Sequence, residues 1–119
     1  MTLKLLIVDD VDEVRRDLST LLSLSDEIEV IGEATNGSEA VRLTALLKPD
    51  VVLMDLEMPV MDGYESTQQI KSHFPCKVIA LSVHDYESAR EKAFQSGVDA
   101  FLVKGASVKT IVQTILKKE

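Results

Sequence analysis

The sequence predicts an α/β fold, (βα)5: a doubly wound, five-stranded parallel sheet in the order 2-1-3-4-5. Two observations carry that prediction. Five short apolar runs alternate with five stretches of helical pattern. Strict alternation implies parallel pairing, with right-handed crossovers placing helices on both faces of the sheet. The second observation is the texture of the runs. Most are continuously apolar, as strands buried on both faces must be, while the second is broken by charge, as an edge strand would be.

The elements follow in order. Leu3–Val8 is the first strand, with Leu5-Leu6-Ile7-Val8 unbroken. Val11, Val14, Leu18, Leu21 and Leu22 then fall on one helical face. In the second strand, Ile28–Ala34, acidic residues Glu27, Glu29 and Glu33 interleave with Ile28, Val30 and Ile31. Ser38–Lys48 is a helix stopped by Pro49. Val51–Met54 is the third strand. Gly63–His73 is the weakest helical pattern, with sparse apolar residues Tyr64 and Ile70, and Pro75 ends it. Val78–Leu81 is the fourth strand, and Asp85–Ser96 a helix closed by Gly97. After the short strand Ala100–Val103, residues Val108, Ile111, Val112, Ile115 and Leu116 form a last amphipathic face.

The 119 residues make one domain, 1–119, with enough chain to bury a core. No apolar run approaches the roughly 18–20 residues that span a bilayer. Met1-Thr2-Leu3-Lys4 leads straight into a strand rather than into a secretory leader, so a cytoplasmic protein is expected. The lone Cys76 excludes an internal disulfide and reads as a small residue at a strand entrance. A net charge of −7 argues against nucleic-acid binding by this domain, since that affinity comes mostly from neutralising phosphates.

The polar residues that carry chemistry collect at the C-terminal ends of strands. Asp9 and Asp10 follow the first, Asp55 the third, Ser82 the fourth and Lys104 the fifth. In an open α/β sheet, ligands bind at that end, where the strand order reverses. Here the reversal lies between strands one and three, so Asp9, Asp10 and Asp55 flank one crevice. Clustered carboxylates repel unless a cation sits among them. Oxygen ligands without nearby His or Cys suit Mg²⁺. A carboxylate left free could then attack phosphorus, with Lys104 and Ser82 receiving phosphoryl oxygens. Taken alone, Asp10 reads as the N-cap of the first helix, with Glu13 completing a capping box. Asp62-Gly63 reads as a turn or an N-cap. Ser82 and Lys104, each alone, read as an ordinary strand-end hydroxyl and a solvated cation.

The segments Leu6-Ile7-Val8-Asp9-Asp10, Asp55-Leu56-Glu57-Met58-Pro59-Val60-Met61-Asp62-Gly63, Leu81-Ser82-Val83-His84-Asp85 and Phe101-Leu102-Val103-Lys104 together resemble the CheY-like receiver domain of bacterial response regulators. That flavodoxin-like family shares the 2-1-3-4-5 order. The resemblance implies that Asp55 is the phosphoacceptor of a phosphorelay, with a sensor histidine kinase as donor. It implies Asp10, Asp55 and the Glu57 backbone carbonyl as direct Mg²⁺ ligands, with Asp9 acting through water. Lys104 becomes the phosphoryl-binding lysine, and Ser82 and Phe101 the switch pair, the ring moving inward after the hydroxyl. Glu57 and His84 occupy variable positions that tune phosphoryl lifetime. Gly105 stands where many members have Pro, which argues against a cis peptide there.

The runs Leu81–Asp85 and Lys104-Gly105-Ala106 are most similar to receivers of LuxR-type transcription factors. Transcriptional output through a DNA-binding domain outside this chain is therefore expected, with phosphorylation-dependent homodimerisation plausible on the same resemblance. The chain reaches Lys117-Lys118-Glu119 without a helix-turn-helix. A stand-alone receiver acting by protein–protein binding is the alternative. An aspartyl-phosphate phosphohydrolase fits worse: such enzymes usually place an Asp two residues after the nucleophile, where this chain has Glu57. No Gly-rich phosphate loop of either common pattern occurs. The expected domain is a signalling module with intrinsic autophosphorylation and autodephosphorylation, not an enzyme in the metabolic sense.

Overall fold

The computed structural model describes residues 2–117. Met1 and Lys118-Glu119, expected above to flank the first strand and the last helix, lie outside the described residues. The chain runs β1 (Leu3–Val8), α1 (Asp12–Leu22), β2 (Ile28–Ala34), α2 (Gly37–Leu47), β3 (Val51–Asp55), α3 (Gly63–His73), β4 (Lys77–Ser82), α4 (Glu87–Ser96), β5 (Ala100–Val103) and α5 (Val108–Leu116). All neighbouring strands pair in parallel, in the order β2-β1-β3-β4-β5. Between β1 and β2 the register slips by one residue, so that Leu5 faces Val30 but Leu6 faces Gly32.

The strand alternation divides the core into two layers. Leu6, Val8, Val52, Met54, Val78 and Ala80 pack against α2, α3 and α4 through Ala40, Ile70 and Ala93. Leu5, Ile7, Leu53, Ile79 and Leu81 pack on the opposite side against Leu22 of α1 and Ile111 and Ile115 of α5. Fully burying one such aliphatic side chain contributes about 1.5–3 kcal/mol, so these layers dominate what holds the sheet in place.

Helix ends follow local side-chain chemistry. Asn36 caps α2 by accepting from the Glu39 amide, while the Glu39 carboxylate accepts from the Thr35 amide. Asp62 caps α3 by accepting from the Glu65 amide, which settles its role as an N-cap. Ser107 does the same for α5 at the Thr110 amide. Gly97 closes α4 at a φ of 110°, where a Cβ would be strained.

Three expectations need correction. Asp10 does not cap α1: the helix begins at Asp12 after Val11, without a side-chain cap, and Asp10 is left exposed. The capping-box reading of Glu13 fails with it. The helix expected from Asp85 starts at Glu87, because Asp85 is held in the preceding loop by an ion pair with Arg90. Nor is the apolar stripe of α1 all core: Leu22 is buried, but Val11, Val14 and Leu21 remain largely exposed. Val14 and Leu21 border an open groove between α1 and α5 that nothing in the fold fills.

The loop after β3 is held tightly under the sheet end. The Gly63 amide donates to the Leu56 carbonyl at 3.0 Å. A Cβ on Gly63 would collide with the Asp55 carbonyl oxygen and come within 2.7 Å of Leu56 Cα. Both neighbours are backbone, so neither can swing away. We expect Gly63→Ala to lower stability by about 1–3 kcal/mol, as other overpacked interiors do, read as a shifted urea midpoint. An unchanged midpoint would mean that this loop is free to relax.

Candidate functional site

β1 and β3 are adjacent at the centre of the sheet, and their C-terminal ends deliver the acidic residues to one place. Asp55 is the last residue of β3 and Asp9 follows β1 directly; each is only 1% exposed, while Asp10 is exposed. One carboxylate oxygen from each of Asp9, Asp10 and Asp55 lies within 4.8 Å of the others. Lys104, just past β5, sends its ammonium to 3.2 Å from both Asp9 Oδ2 and Asp55 Oδ2. Asp9, Asp10, Asp55 and Lys104 are thus brought together as the sequence anticipates.

The hydrogen bonding is one-sided. Asp9 Oδ1 accepts from the Val11 amide at 2.9 Å, and Asp55 Oδ1 from the Glu57 amide at 3.2 Å. Asp9 Oδ2 and Asp55 Oδ2 are buried and receive no directed hydrogen bond. Their close positive neighbour is Lys104, as an ion pair at 3.2 Å to each. Burial, then the neighbouring Asp9 charge, pushes the Asp55 carboxyl up to about 7; Lys104 pulls the other way and loses. Burial disfavours the Lys104 ammonium too, but the Asp55 and Asp9 carboxylates outweigh it and hold its pKa above the ordinary value.

Three carboxylates face one ammonium, with two buried oxygens unsatisfied. That donor set is all oxygen, part buried and part open to solvent through Asp10. It fits a hard divalent cation, which takes a few carboxylates and keeps several waters.

The other expected residues sit beside this cluster. Ser82 is buried at the end of β4. Its Oγ donates to the Glu57 carboxylate, 3.1 Å from Oε1 and 3.2 Å from Oε2, and accepts from the His84 amide at 3.0 Å. Phe101 in β5 is turned inward, 8% exposed. The Arg90 guanidinium lies 4.7 Å from its ring centroid, itself paired with Asp85 at 2.7 Å. The His84 ring is exposed and leans on Tyr86. No cis peptide bond occurs among the described residues; Gly105 takes a φ of 99° instead.

Two participants are absent from the sequence reading. Arg15 is a buried cation whose guanidinium donates to the Asp9 carbonyl at 2.9 Å and pairs with Asp12 and Glu33. It bolts together the ends of β1 and β2 and the start of α1. The available signal was its spacing, four residues after Val11 and three before Leu18, on the inward side of the helix. The second is the Glu57 side chain in its contact with Ser82, which the sequence reading placed only at a variable position that tunes phosphoryl lifetime. Nothing in sequence spacing reveals that it reaches across to Ser82.

Comparison with known proteins finds a matching family and the same fold. Residues 5–116 match the family described as the response regulator receiver domain. Response regulator protein VraR of Staphylococcus aureus is 42% identical over 118 residues, covering 98% of this chain and 56% of VraR. The chain therefore spans about half the length of the curated relatives it matches. The signal receiver domain of NarL from Mycobacterium tuberculosis superposes with a TM-score of 0.93 at 34% identity, over 97% of this chain and 94% of that one. A DNA-binding response regulator of the LuxR family from Staphylococcus aureus gives 0.88 at 33% identity, over 95% of each chain. No helix among the described residues is long and apolar enough to cross a membrane.

The raised Asp55 pKa has a signed consequence. Between the ordinary carboxylate range and about 7, the folded protein binds a proton at Asp55 that the unfolded chain has released. Stability contributed by this group is thus present at low pH and lost as pH rises through that window. In metal-free buffer, Asp55→Asn should gain stability relative to the parent as pH goes from 4 to 7 (about three units, the span of the shift). Parallel stability–pH curves for the two proteins would contradict the assignment.

Proposed function

The chain belongs to the response regulator receiver domain family, the phosphorelay signalling module of two-component systems, and on that premise we propose that Asp55 is its phosphoacceptor. The observation that carries this reading is the pair of buried, unsatisfied oxygens on Asp9 and Asp55, 3.2 Å from Lys104 at the strand ends. A phosphohistidine on a sensor histidine kinase is the donor. An Asp55 carboxylate oxygen attacks phosphorus, the P–N bond breaks, and the released imidazole takes up a proton. The product is an acyl phosphate, and water later attacks its phosphorus, cleaving the new P–O bond to return the Asp55 carboxylate and release inorganic phosphate.

Attack requires the ionised carboxylate, which burial disfavours. Lys104 supplies one compensating charge, and its ammonium donors then pass to phosphoryl oxygens as these arrive. Asp9, Asp10, Asp55 and the Glu57 backbone carbonyl would hold Mg²⁺, which would supply the remaining neutralisation of charge when bound. The Glu57 amide steadies Asp55 Oδ1 and leaves Oδ2, beside Lys104, as the attacking oxygen. Ser82 donates its hydroxyl to a phosphoryl oxygen once modification has occurred, and Phe101 on the neighbouring strand β5 responds by repacking under Arg90. A phosphoryl group of about −1.5 to −2 charge is a sufficient bias for such a switch.

Output is transcriptional, through a DNA-binding domain of the LuxR type outside residues 1–119 and a phosphorylation-dependent homodimer, in the cytoplasm. Support comes from the VraR relative and the LuxR-family structural neighbour.

Intact-mass spectrometry tests the core of the reading. Incubation with acetyl phosphate and Mg²⁺ should add one phosphoryl group to the parent. Asp55→Asn and a metal-free control should stay unmodified. An adduct on Asp55→Asn, or none on a folded parent with metal, would remove the basis for the roles of Asp10, Ser82 and Lys104.

A further inference from the structure

We infer that the Glu57 carboxylate is a positioning residue: it holds the Ser82 hydroxyl away from the acceptor and must release it before a phosphoryl group can bind fully. This rests on Asp55 being the phosphoacceptor. A serine hydroxyl has one proton to donate. Here that proton is committed to Glu57, at 3.1 Å and 3.2 Å from its two oxygens. Glu57 Oε1 also accepts from the Val83 amide at 3.3 Å, while Ser82 Oγ accepts from the His84 amide at 3.0 Å. The carboxylate thus gathers the end of β4 and the start of the following loop into one arrangement.

The same residue touches the acceptor from its other end, through its amide to Asp55 Oδ1. Glu57 is therefore fixed between the two groups that a phosphoryl group must bring together. A bond from a neutral hydroxyl to a carboxylate is charge-assisted and stronger than a neutral one. An arriving phosphoryl oxygen competes for that single proton, and the free energy of binding is reduced by what Glu57 already holds. Removing the carboxylate should release the hydroxyl and favour the phosphoryl-bound arrangement.

A simpler account is that Glu57 acts only as one more negative charge. The two separate through Ser82, because a charge effect persists when the hydroxyl is gone. The experiment is a double-mutant cycle on Glu57→Ala and Ser82→Ala. Affinity for beryllium fluoride, a phosphoryl mimic, is read with Mg²⁺ from amide resonances across a titration. Glu57→Ala should tighten binding about tenfold in the Ser82 protein, the weight of one hydrogen bond to a charged group. In the Ser82→Ala background the gain should fall below about twofold. Glu57→Gln keeps an acceptor oxygen without the charge, so the bond to Ser82 is weakened but not lost and the tightening should be intermediate, about threefold.

A metal-free measurement accompanies it. The Val83 amide should exchange with solvent faster in Glu57→Ala and at about the parental rate in Glu57→Gln. Equal tightening in both Ser82 backgrounds, tightening by Glu57→Gln as large as by Glu57→Ala, or no tightening at all overturns the inference while leaving the phosphoacceptor reading intact. A folded parent that binds no beryllium fluoride and gains no phosphoryl mass overturns both.

Discussion

Three carboxylates at the ends of two adjacent strands, opposed by one ammonium, set the terms for the rest of this molecule. Asp9 and Asp55 are both 1% exposed, so water does little to relieve their repulsion. The effect is visible in the Asp55 carboxyl, driven up to about 7 by burial and by its neighbour despite Lys104 nearby. A site built this way is unbalanced until positive charge arrives, and is therefore selective for what it admits. Function at this end of the sheet is obtained at a cost in stability, which the two apolar layers must offset.

The scaffold keeps that imbalance from relaxing. β1 and β3 are paired along their length, so the two acids cannot drift apart without breaking a ladder in the middle of the sheet. Gly63 lies against the Asp55 carbonyl and fastens the β3–α3 loop. Arg15, on the buried side of α1, takes the Asp9 carbonyl and two acids, tying β1 to the edge strand β2. A buried guanidinium of this kind is sustained only by full pairing, and here each edge of the fork has a partner.

Around this rigid centre the mobile chemistry is confined to a few donors. Ser82 donates to Glu57, and Phe101 lies inward with Arg90 above it, Arg90 in turn held by Asp85. Asp85 belongs to the loop that leaves Ser82, so side-chain contacts join that loop to the ring, beside the backbone pairing of β4 with β5. Such contacts are individually weak, and a dianionic group is large enough to redirect them. The rigid and switchable parts of the fold thus meet at Glu57, whose amide serves Asp55 and whose carboxylate serves Ser82.

Alternation of apolar runs with helical stretches determined the architecture, because burial on both faces permits no other reading of Leu5-Leu6-Ile7-Val8 or Val51-Val52-Leu53-Met54. Charge in Ile28–Ala34 placed β2 at an edge, as the sheet has it. The acidic residues and Lys104 were legible for the same reason: strand ends of a parallel sheet converge, so position along a strand translates into position in space. Cap residues were legible only where a side chain does the capping. Asp62 could be read as a cap and is one, whereas Asp10 could equally be read so and is not, since α1 starts two residues later without a side-chain cap. What tertiary structure alone decided are the contacts between elements distant in sequence. Ser82 meets Glu57 across 25 residues, Arg15 meets Glu33 across 18, and the α1 stripe turns out to border an open groove. Periodicity states which face of an element is apolar; it carries no information on how far a polar side chain reaches or what waits at its end. That is settled by packing distances, which only the folded chain possesses.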